Sequence, residues 1–236
     1  MALPKLNEVP KYTMKVPSTG IEVRFRPFLV KEEKVMLIAL ESEDQKQQLM
    51  SIVDTLKACV DTDINYDKLT TFDVEYMFNQ LRGKSVGETA KIMMKCKTEG
   101  CEADNEVVIN VDALTIDMPD QESVIVLDEN TTVEMAYPSY KDVMSTQEDG
   151  VSESKQMFDI LRHCLVAVIV GEERIDLKNE TQQEIQEFIE SMSSEQFTKV
   201  REYLETMPTL SHEIEFYCPM CETNHTETVT GIQNFF

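Results

Sequence analysis

The sequence lacks the patterns on which most enzymes depend. It has only three histidines in 236 residues, and it has no glycine-rich phosphate loop, GxSxG turn or HExxH helix. The segment LRGKSVGE, 81–88, superficially suggests a phosphate site. It has neither the preceding strand nor the second glycine before the lysine that a P-loop requires, so we interpret it as a helix end followed by a turn. We therefore predict a protein that is not an enzyme and has no catalytic residues.

Basic residues are also scarce. The chain has 22 Lys and Arg against 44 Asp and Glu, which gives a formal net charge of −22. Such a chain would be repelled by phosphates, so we expect no nucleic-acid partner. The acidic residues are spread along the whole sequence, and this favours a solvated surface over an acidic patch made for one basic partner.

Long apolar runs are absent as well. No segment approaches the roughly 20 apolar residues of a membrane-spanning helix, and the first stretch, MALPKLNEVPKYTMKVP, is too polar for a secretory signal. Hydrophobic residues make up 42% of the chain and charged residues 28%, as is typical of a soluble globular protein. We expect a cytoplasmic protein with no membrane partner.

The six cysteines divide into two kinds. Cys59 and Cys164 each lie on an apolar face with helical spacing, and we predict that both are small core residues. The apolar face around Cys164 predicts one helix near 154–170. The other four cysteines form two closely spaced pairs, one in MKCKTEGCEADN and one in FYCPMCETNH.

Each of these pairs occupies a tight turn between strand-like segments, 92–96 and 106–111 for the first pair, 213–217 and 226–230 for the second. Two hairpin tips that each present two thiolates are the geometry of a zinc ribbon, here split by more than a hundred residues of sequence. Turn amides can donate hydrogen bonds to the sulfurs. We predict one structural Zn²⁺ held by Cys96, Cys101, Cys218 and Cys221.

Other interpretations of the four cysteines remain open. They could be unliganded packing thiols, or a redox dithiol could use the CxxC pair, although no helix pattern follows Cys221 as thioredoxin-like chemistry would require. Disulfides are disfavoured in a reducing cytoplasm. His225 could replace one cysteine as a ligand, and His212 could support a ligand. Catalytic zinc is disfavoured because four thiolates leave no open position for water.

The remaining sequence predicts an α+β fold. An N-terminal hairpin turns at PSTG, helices follow, and a further hairpin pairs 124–127 with 132–137. The second half is predicted to be a helical block, with capping boxes at the start of TQQEIQEFIESM and of SSEQFTKVREYLETM and a loop at 145–154. We predict three parts in one compact unit: 1–137 with the first cysteine hairpin, the helical block 138–210, and 211–236 with the second cysteine hairpin packed on the N-terminal part.

Several strings resemble the baseplate hub assembly proteins of T-even-type (T4-like) contractile-tailed phages. They are FRPFLVKEEK at 25–34, FDVEYMFNQLRGKSVGE at 72–88, AYPS at 136–139, and the ending MPTLSHEIEFYCPMC to GIQNFF. The resemblance covers nearly the whole chain. It implies a non-enzymatic late protein that binds other hub proteins during tail morphogenesis in the host cytoplasm, either as a chaperone or as part of the virion baseplate.

Two expectations follow from the resemblance and from the cysteines. Three stretches that are short of charge, EYMFNQL, VEMAYPSY and GIQNFF, are candidate contact surfaces for hub partners. The competing functional class is a zinc-dependent or dithiol redox protein acting through the CxxC pair.

Overall fold

A computed structural model describes residues 9–41, 44–116, 118–119, 123–146 and 151–230. Within these ranges the chain mixes helices with small antiparallel sheets, which confirms the predicted α+β class. The proposed contact at 231–236 and the middle of the predicted loop, 147–150, lie outside the described residues.

The described residues form seven α-helices: α1 (Val30–Leu40), α2 (Gln45–Cys59), α3 (Thr71–Ser85), α4 (Tyr140–Thr146), α5 (Glu153–Cys164), α6 (Gln182–Glu190) and α7 (Ser194–Glu205). They also form eleven strands: β1 (Tyr12–Lys15), β2 (Glu22–Phe25), β3 (Thr89–Lys95), β4 (Asp104–Asn110), β5 (Thr115–Ile116), β6 (Val124–Val126), β7 (Thr131–Met135), β8 (Leu165–Val170), β9 (Glu173–Asp176), β10 (Leu210–Cys218) and β11 (Thr223–Thr230).

The chain divides into two compact units. The first comprises the described parts of Met1–Tyr66, Phe72–Asp117 and Thr209–Phe236, and the second comprises those of Asp67–Thr71 and Met118–Pro208. Both cysteine hairpins therefore belong to the first unit, although the Met118–Pro208 part of the second unit separates them in sequence.

The N-terminal hairpin of the first unit pairs β1 with β2 as predicted, and its turn is held by a buried carboxylate. Gly20 adopts a φ of 68° in that turn. Ser18 donates to Asp73 twice, from its backbone N–H at 2.9 Å and from its hydroxyl at 2.6 Å. Asp73 has no exposed surface and lies in the first turn of α3, where the helix dipole favours a negative charge. The helix itself begins at Thr71.

Replacing Asp73 with alanine is expected to destabilise the first unit by about 2–3 kcal/mol, because two donors of Ser18 lose a charged acceptor. For a chain of this size, this corresponds to a melting temperature roughly 5–10 °C lower. Asp54→Ala is the matched control, since Asp54 lies on α2 with its side chain 67% exposed, and it should change stability by less than about 0.5 kcal/mol. Equal melting temperatures for the two variants would contradict the role assigned to Asp73.

Helix α1 is anchored at its start by a buried acid. The carboxylate of Glu32 accepts a hydrogen bond from the backbone N–H of Leu29 at 2.8 Å and from Nη2 of Arg26 at 2.8 Å. Burial opposes the charge on Glu32, but the hydrogen bonds from Arg26 and Leu29 outweigh it and lower the pKa of this carboxyl. Arg26 also donates to the carbonyl of Ala58 at the end of α2. These contacts tie α1 to α2.

The opposite face of α1 is exposed and apolar. Val30 is 78% exposed, and Leu37 and Ile38 are each 56% exposed. Val35 on the same helix is also exposed. An exposed aliphatic face of this kind is unusual in a helix that buries only one side.

The apolar residues of the candidate contact stretch EYMFNQL are buried, although the stretch was predicted to form a contact surface. Met77, Phe78 and Leu81 have essentially no exposed surface, because α3 carries them into the core. Tyr140 and Met135 in VEMAYPSY are buried as well. Both stretches are short of charge because they fill the interior, so the prediction that they form contact surfaces was wrong.

The second unit contains a four-stranded antiparallel sheet in the order β6-β7-β8-β9 together with α4 to α7. Its core includes Val133, Leu161, Val168, Ile189 and Tyr203. The predicted hairpin of β6 and β7 is confirmed. The predicted capping boxes of α6 and α7 are also confirmed, through Thr181 with Glu184 and Ser193 with Gln196.

One helix of the second unit was predicted too long. The single helix expected near 154–170 ends at Cys164, and the next residues, LVAVIV, form β8. Three valines and one isoleucine in six positions favour a strand, because β-branched side chains pack well on a pleated sheet. The strand pairs with β7 on one side and β9 on the other.

Candidate metal centre

The two cysteine hairpins are regular antiparallel ladders. Strands β3 and β4 pair from Thr89↔Asn110 to Lys95↔Asp104, and β10 and β11 pair from Ser211↔Thr230 to Cys218↔Thr223. In β10 the buried residues alternate in steps of two, with Ile214, Phe216 and Cys218 on one face. This period places the cysteine on the same side as the apolar residues that lead to it.

A shared apolar cluster brings the hairpins together. The buried members are Ala90, Ile92, Ile109, Val111, Leu114, Leu210, Ile214 and Val229, drawn from both hairpins and from the segment that joins β4 to β5. Strand β10 also pairs with β5 through Leu210↔Ile116 and Ser211↔Thr115. Because the apolar faces pack against each other, the two cysteine-bearing tips meet at the same end.

The four sulfurs converge on one point. Cys96 Sγ lies 3.5 Å from Cys221 Sγ, and Cys101 Sγ lies 3.9 Å from Cys218 Sγ. All four sulfurs lie within 4.8 Å of one another. A tetrahedral zinc with Zn–S bonds of about 2.3 Å requires sulfur–sulfur edges of about 3.8 Å. The four predicted ligands therefore meet the distance condition for a four-coordinate metal.

No disulfide joins these residues. All four cysteines are free thiols, and their separations are well beyond the S–S bond length of about 2.05 Å. Short contacts link one cysteine of each hairpin, Cys96 with Cys221 and Cys101 with Cys218. A cation at the centre would therefore cross-link the two hairpins.

The turns supply hydrogen-bond donors to the sulfurs. The backbone N–H groups of Cys221 and Met220 lower the pKa of the Cys218 thiol. Hydrogen bonds that the hydroxyls of Thr223 and Thr98 donate to the Cys221 thiolate lower the pKa of Cys221 to about 5. Both effects favour thiolate, which is the form that binds a metal.

Cys101 titrates in the opposite direction. The backbone N–H of Ala103 favours its thiolate, but burial and the sulfurs of the other three cysteines outweigh that donor and raise the pKa of Cys101 to about 12. Thiolates this close repel one another, so in the absence of a cation they do not all ionise together. A divalent cation would remove that repulsion.

The two candidate histidines occupy different places. His225 lies in β11, and its Nε2 is 3.2 Å from Cys96 Sγ. His212 lies opposite Val229 in the ladder, six residues before Cys218, a separation of about 20 Å along an extended strand. The suggestion that His212 supports a ligand was therefore wrong. Thr98 and Thr223 were missed from the sequence, although Thr98 lies inside the CKTEGC turn.

The two remaining cysteines are core residues, as predicted. Cys59 and Cys164 have no exposed surface. Burial raises the pKa of Cys59 to about 11 and that of Cys164 to about 12, so both are neutral thiols. No helix among the described residues has the length and apolar character needed to cross a membrane.

The structure defines an α+β protein in which two hairpins, distant in sequence, bring four cysteines to one point. The family model described as T4 bacteriophage base plate protein matches residues 9–236. The chain therefore belongs to this family, which confirms the resemblance found in the sequence and indicates a structural role in the phage baseplate. No curated protein and no solved structure matches the chain.

Proposed function

We propose that the protein is a non-enzymatic baseplate hub assembly protein or hub subunit that binds other hub proteins during tail morphogenesis. It would act in the host cytoplasm during assembly, either leaving as a chaperone or staying in the virion baseplate. The observation that carries the proposal is the family match over residues 9–236.

The second part of the proposal is a structural Zn²⁺ held by Cys96, Cys101, Cys218 and Cys221. The sulfur separations support it, with Cys96 and Cys221 3.5 Å apart and all four sulfurs within 4.8 Å of one another. Four thiolates select zinc over hard cations such as Mg²⁺ and Ca²⁺, which prefer oxygen ligands. With four protein ligands the zinc has no open position, so its contribution is to hold the fold together.

Zinc at this position would close a long loop in the chain. Cys101 and Cys218 are 117 residues apart in sequence, and the Met118–Pro208 part of the second unit lies between them. A cross-link that spans so many residues removes much of the conformational freedom of the unfolded chain. The metal would thus join the tips of the two cysteine hairpins of the first unit, while the sequence between them forms a unit of its own.

The exposed face of α1 is the proposed partner surface. It carries Val30, Val35, Leu37 and Ile38, together with the exposed Lys31 and Lys34. Removing exposed aliphatic surface from water stabilises a complex by about 25 cal/mol per Å². The partner proposed for this face is another baseplate hub protein with an apolar contact surface, because membership of a baseplate family implies baseplate partners.

One observation favours the competing redox function. The pKa of Cys221 is lowered to about 5, which is typical of a reactive thiolate. However, Cys218 ends a strand and Thr223 begins the next one, so no helix start stabilises the thiolate as it does in thioredoxin-like sites. The low pKa is equally what a metal ligand requires, and the convergence of the second pair favours metal.

The proposal is tested by purifying an affinity-tagged copy of the chain from infected cells. We expect other hub proteins to co-purify, and native mass spectrometry to find about one zinc per chain. Mass spectrometry of finished virions then distinguishes a subunit that stays from a chaperone that leaves. Purified protein without hub partners would contradict the assembly role, and purified protein without zinc would contradict the metal site.

A further inference from the structure

We propose that His225 is a positioning residue of the zinc site, whose Nε2–H donates a hydrogen bond to the thiolate of Cys96. This inference rests on the proposed zinc site and extends it. In this arrangement His225 supports the ligand Cys96. It does not replace a cysteine as a ligand of the zinc.

The imidazole of His225 is held in place by the sheet. His225 lies directly opposite Phe216 in the β10–β11 ladder, and the two rings stack with centroids 5.1 Å apart and planes inclined by 26°. Phe216 is itself buried. Cross-strand aromatic pairs restrict each other's side-chain rotation, so the ring has a fixed direction relative to the sulfurs.

That direction points at the other hairpin. Nε2 of His225 lies 3.2 Å from Cys96 Sγ and 3.4 Å from Oγ1 of Thr98. The same Thr98 hydroxyl lies 3.4 Å from Cys221 Sγ. The imidazole from the second hairpin thus contacts both a ligand and a turn residue of the first hairpin.

Each of the other three sulfurs already has a hydrogen-bond partner of its own. Cys101 has the N–H of Ala103, Cys218 has the N–H groups of Cys221 and Met220, and Cys221 has the side chains of Thr223 and Thr98. His225 completes this pattern at Cys96.

A zinc ion with four thiolates carries a net charge of −2, and the chain is strongly acidic. Donors to the sulfurs disperse that charge and orient the ligands. Four sulfurs within 4.8 Å of one another already supply four ligands, and zinc in structural sites is almost always four-coordinate. The geometry therefore places His225 around the site as a donor.

The test compares three variants of the full-length protein for zinc affinity, measured by competition with a chromogenic chelator. His225→Phe keeps the ring that stacks on Phe216 and removes the donor, and we expect about a 10- to 100-fold loss of zinc affinity. His225→Gln retains an N–H donor on a side chain of similar reach and should recover most of that loss. His212→Phe makes the same change about 20 Å away and should bind zinc like the unmodified protein.

A spectroscopic readout separates a donor from a ligand. With Co²⁺ in place of zinc, the sulfur-to-metal charge-transfer absorption should retain four-thiolate intensity in the unmodified protein and in both His225 variants. X-ray absorption of the zinc form should give four sulfurs and no nitrogen. Circular dichroism of the zinc-loaded His225→Phe variant checks that it is folded.

Three results would overturn the inference. The first is unchanged zinc affinity in His225→Phe, and the second is an equal loss in His225→Phe and His225→Gln. The third is a site with three sulfurs and one nitrogen, which would make His225 a ligand. No zinc binding by the unmodified protein would overturn the zinc site itself, and the inference with it, so that failure is distinguished from the other three.

Discussion

Replacing Cys218 with serine is expected to abolish zinc binding and to unfold the first unit. Cys218 has no exposed surface, and its sulfur is one of the four that converge. Structural zinc in small domains contributes about 10–16 kcal/mol of apparent binding free energy, whereas a whole domain is stable by only about 5–15 kcal/mol. The loss of one thiolate therefore removes an amount comparable with the total stability. Cys96→Ser should behave in the same way, because either hairpin alone offers only two ligands.

The measurement combines metal content with thermal unfolding followed by circular dichroism. The unmodified protein should carry about one zinc per chain and lose a cooperative transition when zinc is removed by a chelator. Cys59→Ala is the matched control in the same unit, because Cys59 is buried in the core but does not belong to the cluster. It should lower stability by about 1–2 kcal/mol and keep the full zinc content.

Unchanged melting and metal content in Cys218→Ser would exclude the structural zinc site. Four packing thiols would instead be indicated by two results together. The unmodified protein and its variants would contain no metal, and Cys218→Ser and Cys59→Ala would lower the stability equally. If Cys218→Ser remains folded and loses only reactivity toward thiol reagents, the dithiol interpretation would be favoured.

The cysteine hairpins could be predicted from sequence because their signal is local. Each pair has a spacing that fits a tight turn, Gly100 supplies a φ of 79° in the first turn, and both turns are flanked by alternating residues. Nothing local requires the two hairpins to meet. That follows from apolar contacts such as Ile92 and Ile109 with Leu210 and Ile214, which depend on the tertiary fold. The partners of the sulfurs, Thr98 and His225, depend on the same packing.

The helical spacing of apolar residues led to a wrong prediction at β8, for a physical reason. Apolar residues in 157–164 follow helical spacing, and the next residues, 165–170, are apolar at every position. A continuous apolar run is consistent with either a buried helix or a central strand. Strand pairing with β7 and β9 decides between them, and that pairing is not visible in the sequence of the segment itself.

The proposed partner surface on α1 could not be predicted from low charge alone. EYMFNQL and the second half of α1, VMLIAL at 35–40, both have few charges, but Met77 and Phe78 face the core whereas Leu37 and Ile38 face solvent. Sequence gives the apolar residues of a helix, and only the packing of its neighbours decides which face is covered. In α1, the anchor of Glu32 to Arg26 fixes which face lies inward.

The double substitution Leu37→Glu with Ile38→Glu is expected to abolish recovery of hub proteins with the tagged chain while leaving its fold intact. Both side chains are 56% exposed, so the substitutions should change stability by less than about 0.5 kcal/mol each. If Leu37 and Ile38 are central contacts of an interface, however, the loss of either side chain weakens the free energy of binding by about 2 kcal/mol or more. A carboxylate placed against an apolar partner adds a desolvation cost. We expect binding at least about 30-fold weaker, which is the equivalent of about 2 kcal/mol.

Co-purification from infected cells, quantified against the tagged chain, measures this loss, and the melting temperature and zinc content confirm that the variant is folded. Val108→Glu is the control, because Val108 is a 60% exposed aliphatic residue of the same unit that lies on β4, outside the face of α1. It should leave hub-protein recovery unchanged, which shows that an added acidic charge is not itself the cause. Equal recovery with the α1 double variant and the unmodified chain would exclude this face as the partner surface, and loss of recovery in Val108→Glu alone would place the contact on the cysteine hairpins instead.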